Sequence, residues 1–186
     1  SNPLKNLDIS NNILLEQVTC LGNGITVLNI SKNSLLEKLN CSSNQLLMLD
    51  LSDNPLLKTL QCDYNDIAEL DLTGNISIKG LYCGDNKLTS IDITGCDSLE
   101  NLYCDYNELT DIDVSNKPFL KRLNCERNQL TSLDLGADTS LTEVLCSENQ
   151  LTSLDVTGCK YLGRLECSDN QPVSYTHLRA HETKAN

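Results

Sequence analysis

The chain has 186 residues, of which 39% are hydrophobic and only 4% aromatic, and it carries a net charge of −12. Nucleic acids and anionic membrane surfaces attract clustered Lys and Arg, so this acidic balance argues against both as partners. The sequence also has no apolar run near the roughly 20 residues of a membrane helix, and its N-terminus has no signal-peptide pattern.

A 21-residue repeat organises the sequence from its first residues to residue 171. Eight of the ten cysteines recur at this interval, and an asparagine follows each of them three positions later. Aliphatic residues stand two positions before each of these cysteines, and five positions after every one except the last. A fixed period without insertions is typical of a solenoid. We predict structural roles for both columns, which are Cys20, Cys41, Cys62, Cys83, Cys104, Cys125, Cys146 and Cys167, and Asn23, Asn44, Asn65, Asn86, Asn107, Asn128, Asn149 and Asn170.

The consensus LxxLxCxxNxLxxLDLSxNxxL resembles a leucine-rich repeat with cysteine in place of one leucine. It is similar to the bacterial internalin family, above all to members whose 21-residue repeats stack cysteines in a ladder. The resemblance implies a leucine-rich-repeat solenoid of about eight coils. A parallel β-sheet would form its concave face, and short extended or turn segments would form its convex face. The resemblance also implies an extracellular or cell-surface protein that binds other proteins.

The residue pattern predicts the same fold without the family. In Leu81-Tyr82-Cys83, alternate side chains would point inward, as in a strand. Strands stacked in register would form one parallel sheet with about 4.8 Å between neighbours. We expect the asparagine at each corner to bind backbone groups that the bend leaves unpaired, including those of the next coil.

The ladder cysteines are predicted to be small buried hydrophobic residues with free thiols. Stacking would hold their Cβ atoms about 4.8 Å apart, beyond the 3.5–4.5 Å of a disulfide. A linear row cannot surround a tetrahedral metal ion, so we predict no metal site there. Cys96 and Cys159 lie off the ladder, three repeats apart, and are not expected to bond to each other.

A column of acidic residues stands nine positions after the ladder cysteines. It comprises Asp50, Asp71, Asp92, Asp113, Asp134 and Asp155, with Asp8 before them and Asn29 interrupting the column. We interpret these carboxylates as acceptors for nearby backbone N–H groups or Ser and Thr hydroxyls. A calcium-binding stripe is the alternative, since calcium takes oxygen ligands.

Outward-facing positions on the strands vary between repeats, which is where binding specificity could reside. Tyr82 and Tyr103 are neighbours in adjacent repeats, and we expect Tyr64 and Tyr106 to flank them at the sheet edge. The candidate binding residues are Tyr64, Tyr82, Tyr103, Tyr106, Asp63 and Asp105. Exposed tyrosines beside acids are typical of protein-binding surfaces. They could also stack on a sugar, or could simply pair on the strand surface.

No catalytic constellation is visible in the repeats, which contain no histidine and no phosphate-binding glycine loop. We predict a non-enzyme without a cofactor. The two histidines, His177 and His181, fall in residues 172–186, which lack the apolar columns of the repeat. That tail resembles translated adaptor sequence, and we interpret it as an artefact.

The expected organisation is therefore a leucine-rich-repeat array over residues 1–171, truncated at both ends, and a non-repeat tail over 172–186. Uncapped solenoid ends expose core residues and strand edges, so we expect fraying at Leu4 and Leu7 and end-to-end self-association. The predicted function is a non-catalytic protein-binding module of a bacterial surface or secreted protein, in adhesion or host interaction. The alternatives are a glycan-binding module that uses the same Tyr and Asp face, and a structural spacer without a ligand.

Overall fold

The computed structural model describes residues 4–136 and 140–171, together with the backbone of residues 174–176. Its ten strands, each of three residues, are β1 (Gln17–Thr19), β2 (Lys38–Asn40), β3 (Thr59–Gln61), β4 (Gly80–Tyr82), β5 (Asn101–Tyr103), β6 (Arg122–Asn124), β7 (Glu143–Leu145), β8 (Ser153–Asp155), β9 (Arg164–Glu166) and β10 (Ser174–Thr176). Turns and extended segments connect them. These ranges contain no helix that is long and apolar enough to cross a membrane.

Eight of the strands form one parallel sheet in the order β1 to β7 and then β9. Each residue pairs with the residue one repeat later, so that Leu60 pairs with Leu81 and Leu81 with Leu102. The chain therefore makes one coil per repeat at constant register. The leucine-rich-repeat solenoid predicted from the 21-residue period is confirmed.

The core is a continuous stack of aliphatic and cysteine side chains inside the coils. In the fourth coil, Leu81, Cys83 and Leu88 are completely buried. On the far side of the coil from the sheet, Ile91 and Ile93 close the core. A single coil has no hydrophobic interior of its own, so burial depends on the neighbouring coils.

A second column of buried asparagines closes the turn on the far side of the first coils. Asn54 is typical, because its Nδ2 donates to the carbonyls of Ile30 at 3.2 Å and Asn33 at 2.9 Å. The Oδ1 atoms of Asn33, Asn54 and Asn75 have no hydrogen-bond partner among the described residues. The consensus includes this asparagine, but the repeat pattern does not predict its bonds between coils.

The tail contributes one short strand. β10 pairs with β8 in parallel, and Ser174 pairs with Ser153, one repeat length earlier. This segment thus follows the path that a further coil would take, although its residues lack the apolar pattern of the repeat. Residues 172, 173 and 177–186, including His177 and His181, lie outside the described residues.

Candidate functional site

The asparagine after each ladder cysteine fixes the end of the strand. Asn65 Nδ2 lies within 3.2 Å of the carbonyl oxygens of Cys41, Cys62 and Asp63, and its Oδ1 accepts from Leu46 N at 3.0 Å. One side chain therefore satisfies backbone groups in two coils. The same arrangement recurs along the array, which places every strand end in the same position.

The residue directly before the asparagine, two positions after the ladder cysteine, adopts a left-handed conformation in every described coil from the second onward. Non-glycine residues with φ between 49° and 55° occupy this position, which are Ser43, Tyr64, Asp85, Tyr106, Arg127, Glu148 and Asp169. Such a conformation costs about 1–2 kcal/mol for a non-glycine residue. The asparagine bonds impose it, and it projects these side chains from the edge of the sheet.

The ladder cysteines from Cys20 to Cys146 are buried thiols, whereas Cys167 in the last coil is half-buried. Some donate a weak hydrogen bond to the next coil, as Cys104 Sγ does to the carbonyl of Asn124 at 3.5 Å. Burial raises the pKa of Cys41 and of Cys146 to about 12. Because the thiolate is the reactive form, these groups are structural and chemically inert at neutral pH.

The aspartate column forms local turns. Asp50 Oδ1 accepts from Ser52 Oγ at 2.7 Å and Ser52 N at 3.0 Å, and Asp92 Oδ1 accepts from Thr94 N at 2.9 Å. Hydrogen bonds from the hydroxyl and then the backbone N–H two residues later lower the pKa of both carboxyls. These contacts are the local hydrogen bonds predicted for the column.

Tyr82 and Tyr103 form a stacked aromatic pair on the sheet. Their ring centroids are 5.1 Å apart and the planes differ by 19°. The ring of Tyr82 lies over Gly80, since a methyl group on that glycine would stand 3.0 Å from Tyr82 Cε2. The absence of a side chain at Gly80 thus lets the ring lie towards the beginning of its strand.

The acids lie on the other side of the ladder cysteines, at the ends of the strands. We call Asp63, Asp85, Asp105 and Tyr64 the acidic edge. Asp63 accepts from Ser42 Oγ and from Gly84 N, both at 3.2 Å. Burial, followed by the nearby Asp85, raises the pKa of Asp63, and burial with the charges of Asp85 and Asp63 raises that of Asp105 to about 6.

Tyr64 belongs to the acidic edge and not to the aromatic pair. It is 61% exposed, and the charge of Asp85 is the main cause of its raised pKa. The pKa of Tyr103 is raised by burial and then by Glu143, with Arg122 opposing the shift. Tyr103 therefore faces Glu143 and Arg122 at the beginning of the strands and not the acidic edge.

Tyr106 makes a separate contact in the next coil. The Arg127 guanidinium lies 4.6 Å from the centroid of its ring, and Arg127 Nη2 is 2.6 Å from Glu148 Oε1. Arg127 is not among the candidate residues predicted from the sequence. It stands one repeat length after Tyr106, so the period is the signal that could have identified it.

The structure thus brings the predicted residues to the strands of one sheet and the turns that follow them, but divides them into two patches and the separate contact of Tyr106 with Arg127. Tyr82 and Tyr103 form the aromatic pair, while Tyr64, Asp63 and Asp105 lie at the acidic edge. Among the described residues, no group of three or more His, Cys, Asp or Glu side chains could hold a metal ion. This face presents aromatic rings, hydroxyl groups and carboxylates to solvent.

Comparisons with known proteins show which solved structures this fold is similar to. No protein-family model and no curated protein matches the chain. The functional domain of InlJ from Listeria monocytogenes, which includes a cysteine ladder, is 29% identical, with a TM-score of 0.60 over 90% of this chain and 47% of that one. Internalin C2 from the same species is 21% identical, with a TM-score of 0.80 over 91% of this chain and 77% of that one.

Internalin F of the same species gives a TM-score of 0.74 at 21% identity, and covers 92% of this chain and 60% of its own. The chain spans about half the length of the InlJ structure. At these identities the likeness to internalins C2 and F concerns the fold. The chain is therefore a leucine-rich-repeat solenoid that is similar to the internalins and shares with InlJ a ladder of stacked cysteines.

Proposed function

We propose that the chain is a non-catalytic protein-binding module of a bacterial cell-surface or secreted protein. The observation that carries this proposal is the stacked pair of Tyr82 and Tyr103 on a sheet whose strand ends are held by the asparagine column. Tyrosines presented by a rigid scaffold lose little conformational entropy on binding. The likeness to the internalins supports a surface or secreted location.

The ring geometry favours a protein over a glycan. One face of Tyr82 and one face of Tyr103 are occupied by the other ring, and Arg127 covers one face of Tyr106. A sugar that stacks on these three rings would have only the remaining face of each. A protein surface can instead pack against ring edges and bind the hydroxyl groups.

The charge distribution indicates the chemistry of the partner. The chain has a net charge of −12, and Asp63, Asp85 and Asp105 lie together at the acidic edge, apart from the aromatic pair. Lys or Arg side chains on the partner would pair with this edge. The same charges would accelerate the encounter at low ionic strength.

The test applies the fluorescent chain to an array of extracellular protein domains and, in parallel, to a glycan array. We expect binding to a protein that Tyr82→Ala with Tyr103→Ala weakens about thirtyfold, since central tyrosines dominate such interfaces. Tyr161→Ala is the matched control, because this tyrosine is 70% exposed but lies off the sheet. Protein binding that the double variant leaves unchanged would contradict the proposal. Binding of the parent chain to the glycan array only, lost in the double variant, would also contradict it.

A further inference from the structure

A hollow of about 360 Å³ lies away from the sheet, half a coil from the strands. Its walls include Val27 and Met48, which stand seven positions after the ladder cysteines of the first two coils. Val27 is 73% exposed, Met48 is 72% exposed and the adjacent Leu47 is 68% exposed. Three large apolar side chains are therefore presented to solvent on neighbouring coils.

The fold does not require apolar residues at these positions. The corresponding pairs in the later coils are Ala68-Glu69, Thr89-Ser90, Thr110-Asp111, Thr131-Ser132 and Thr152-Ser153. Those coils stack in the same register with these small or polar residues. Met48 is also the only methionine in the chain. The later coils therefore fold without apolar side chains at these positions. Val27, Leu47 and Met48 are not needed for the packing of the core.

The polar lining of the hollow is acidic. Asp50 and Asp53 line it, and no Lys or Arg among the described residues does. Asp50 Oδ1 is used by Ser52, while the other carboxylate oxygen makes no hydrogen bond within the described part of the chain. Asn29 replaces aspartate here, and its Oδ1 accepts from Ser31 N at 3.0 Å, which leaves its NH2 group as a donor towards a ligand.

We propose that this hollow is a second docking surface, which takes a basic amphipathic segment of a partner protein. A large apolar side chain of the segment would pack between Val27 and Met48, and flanking Lys or Arg would pair with Asp50 and Asp53. Methionine suits such a contact because its unbranched side chain adapts to the shape of the partner. A second copy of the chain does not fit, since each copy carries a charge of −12.

The experiment measures binding of a synthetic amphipathic peptide of Leu and Lys by fluorescence anisotropy. We expect Val27→Ser with Met48→Ser to weaken binding on the order of tenfold, since burial of both side chains is lost. Asp50→Asn with Asp53→Asn should weaken binding and reduce its dependence on salt. Asparagine at position 50 is compatible with the turn, because Asn29 forms the same turn one repeat earlier.

Three controls show whether binding depends on the hollow. Phe119→Ser removes an apolar side chain that is 59% exposed elsewhere, and it should leave binding unchanged. Tyr82→Ala with Tyr103→Ala should also leave it unchanged, which distinguishes this surface from the sheet face. A peptide of Leu and Glu should not bind. The proposal is overturned if either pair of substitutions in the hollow has no effect, if Phe119→Ser causes an equal loss, or if the acidic peptide binds equally well.

Discussion

Asn107 shows how a single side chain joins two coils. Its Nδ2 lies within 3.1 Å of the carbonyl oxygens of Cys83, Cys104 and Asp105, and its Oδ1 accepts from Leu88 N at 2.9 Å. The N–H of Leu88 depends on this bond, whereas each of the three carbonyl oxygens also accepts a second hydrogen bond. The second donors are Asn86 Nδ2, Asn128 Nδ2 and Asp85 N. The sequence pattern predicts this role, because a corner that recurs at constant period needs the same donor and acceptor each time.

We expect Asn107→Ala to lower the free energy of unfolding by about 3 kcal/mol, because the buried N–H of Leu88 loses its partner and three carbonyl oxygens each lose one of two donors. Asn107→Asp should be more damaging at neutral pH, since its carboxylate would face three carbonyl oxygens, and stability should recover as acid protonates it. Urea unfolding followed by circular dichroism measures both effects. Asn11→Ala, at an exposed position, is the control. Equal stability of Asn107→Ala and Asn11→Ala would contradict this role.

Asp105 lowers the stability of the folded state at neutral pH, whereas Asn107 raises it. Burial and the neighbouring acids raise its pKa from 3.8 to about 6, so the folded state binds more protons than the unfolded state between these values. The stability that this group contributes is therefore present below about pH 4 and is lost as the pH rises to about 6. An acid that is stabilised when protonated opposes folding at neutral pH.

Asp105→Asn should remove this penalty and raise stability at neutral pH by about 1 kcal/mol, a value reduced for the partial exposure of the group. Thermal unfolding between pH 4 and 8 would show a flatter profile than the parent chain. Asp50→Asn is the control, because hydrogen bonds lower the pKa of Asp50 and this carboxylate favours folding above its unfolded pKa. A parallel pH profile for Asp105→Asn and the parent chain would refute the prediction.

At the scale of elements, the far turns are closed in different ways along the array. Asn54 binds two carbonyls of the preceding coil, whereas Lys117 occupies the same position two coils after Asn75. The Lys117 side chain is only 4% exposed, and its Nζ donates to the carbonyl of Thr94 at 3.0 Å, with Asp97 Oδ1 at 3.7 Å. The ammonium group thus replaces the amide as the donor between coils.

Substitutions at Lys117 test this equivalence. Lys117→Asn should keep the stability within about 0.5 kcal/mol, since the amide can bind the preceding coil as Asn54 does. Lys117→Met keeps the bulk but removes the donor, and should cost about 1–2 kcal/mol. Chemical unfolding of the three chains measures the difference. Equal losses for both substitutions would show that Lys117 acts through its charge or its packing and not as a donor.

For the whole molecule, stability depends on contacts between neighbouring coils. Each strand of the main sheet pairs only with the strands of the adjacent coils. The hydrophobic core runs along the whole array as one continuous cluster. The thermodynamics of such a solenoid is approximately a sum over coils and interfaces. The molecule should therefore tolerate the loss of a whole coil far better than a change in coil length.

Deletion of residues 105–125 joins Cys104 to Glu126 and removes one complete repeat, so the ladder and register are retained. We expect this shortened chain to unfold cooperatively, with a denaturant m-value reduced in proportion to the lost surface. Deletion of residues 105–124 removes one residue fewer and should place every later inward side chain out of register. Similar stability of the two shortened chains would contradict the constant-register solenoid.

For the predicted binding face, the sequence predicts which residues are neighbours but not the directions of their side chains. The period places Tyr82 beside Tyr103 because their strands pair in register. It does not show that the ring of Tyr82 turns towards Gly80 and away from Asp105, because a side-chain rotamer depends on the space left by neighbours. The predicted cluster of tyrosines and acids is therefore two patches, with Tyr106 apart from both beneath Arg127. Whether either of them binds a partner remains a prediction.

The period alone determined the backbone of this protein, since a fixed spacing of leucine, cysteine and asparagine permits one coil length and one register. Only the tertiary structure decided the directions of the surface side chains, the burial of Lys117 and the cover of Arg127 on Tyr106. The physical reason is that each coil repeats its backbone hydrogen bonds, whereas each surface side chain meets a different neighbour in the next coil.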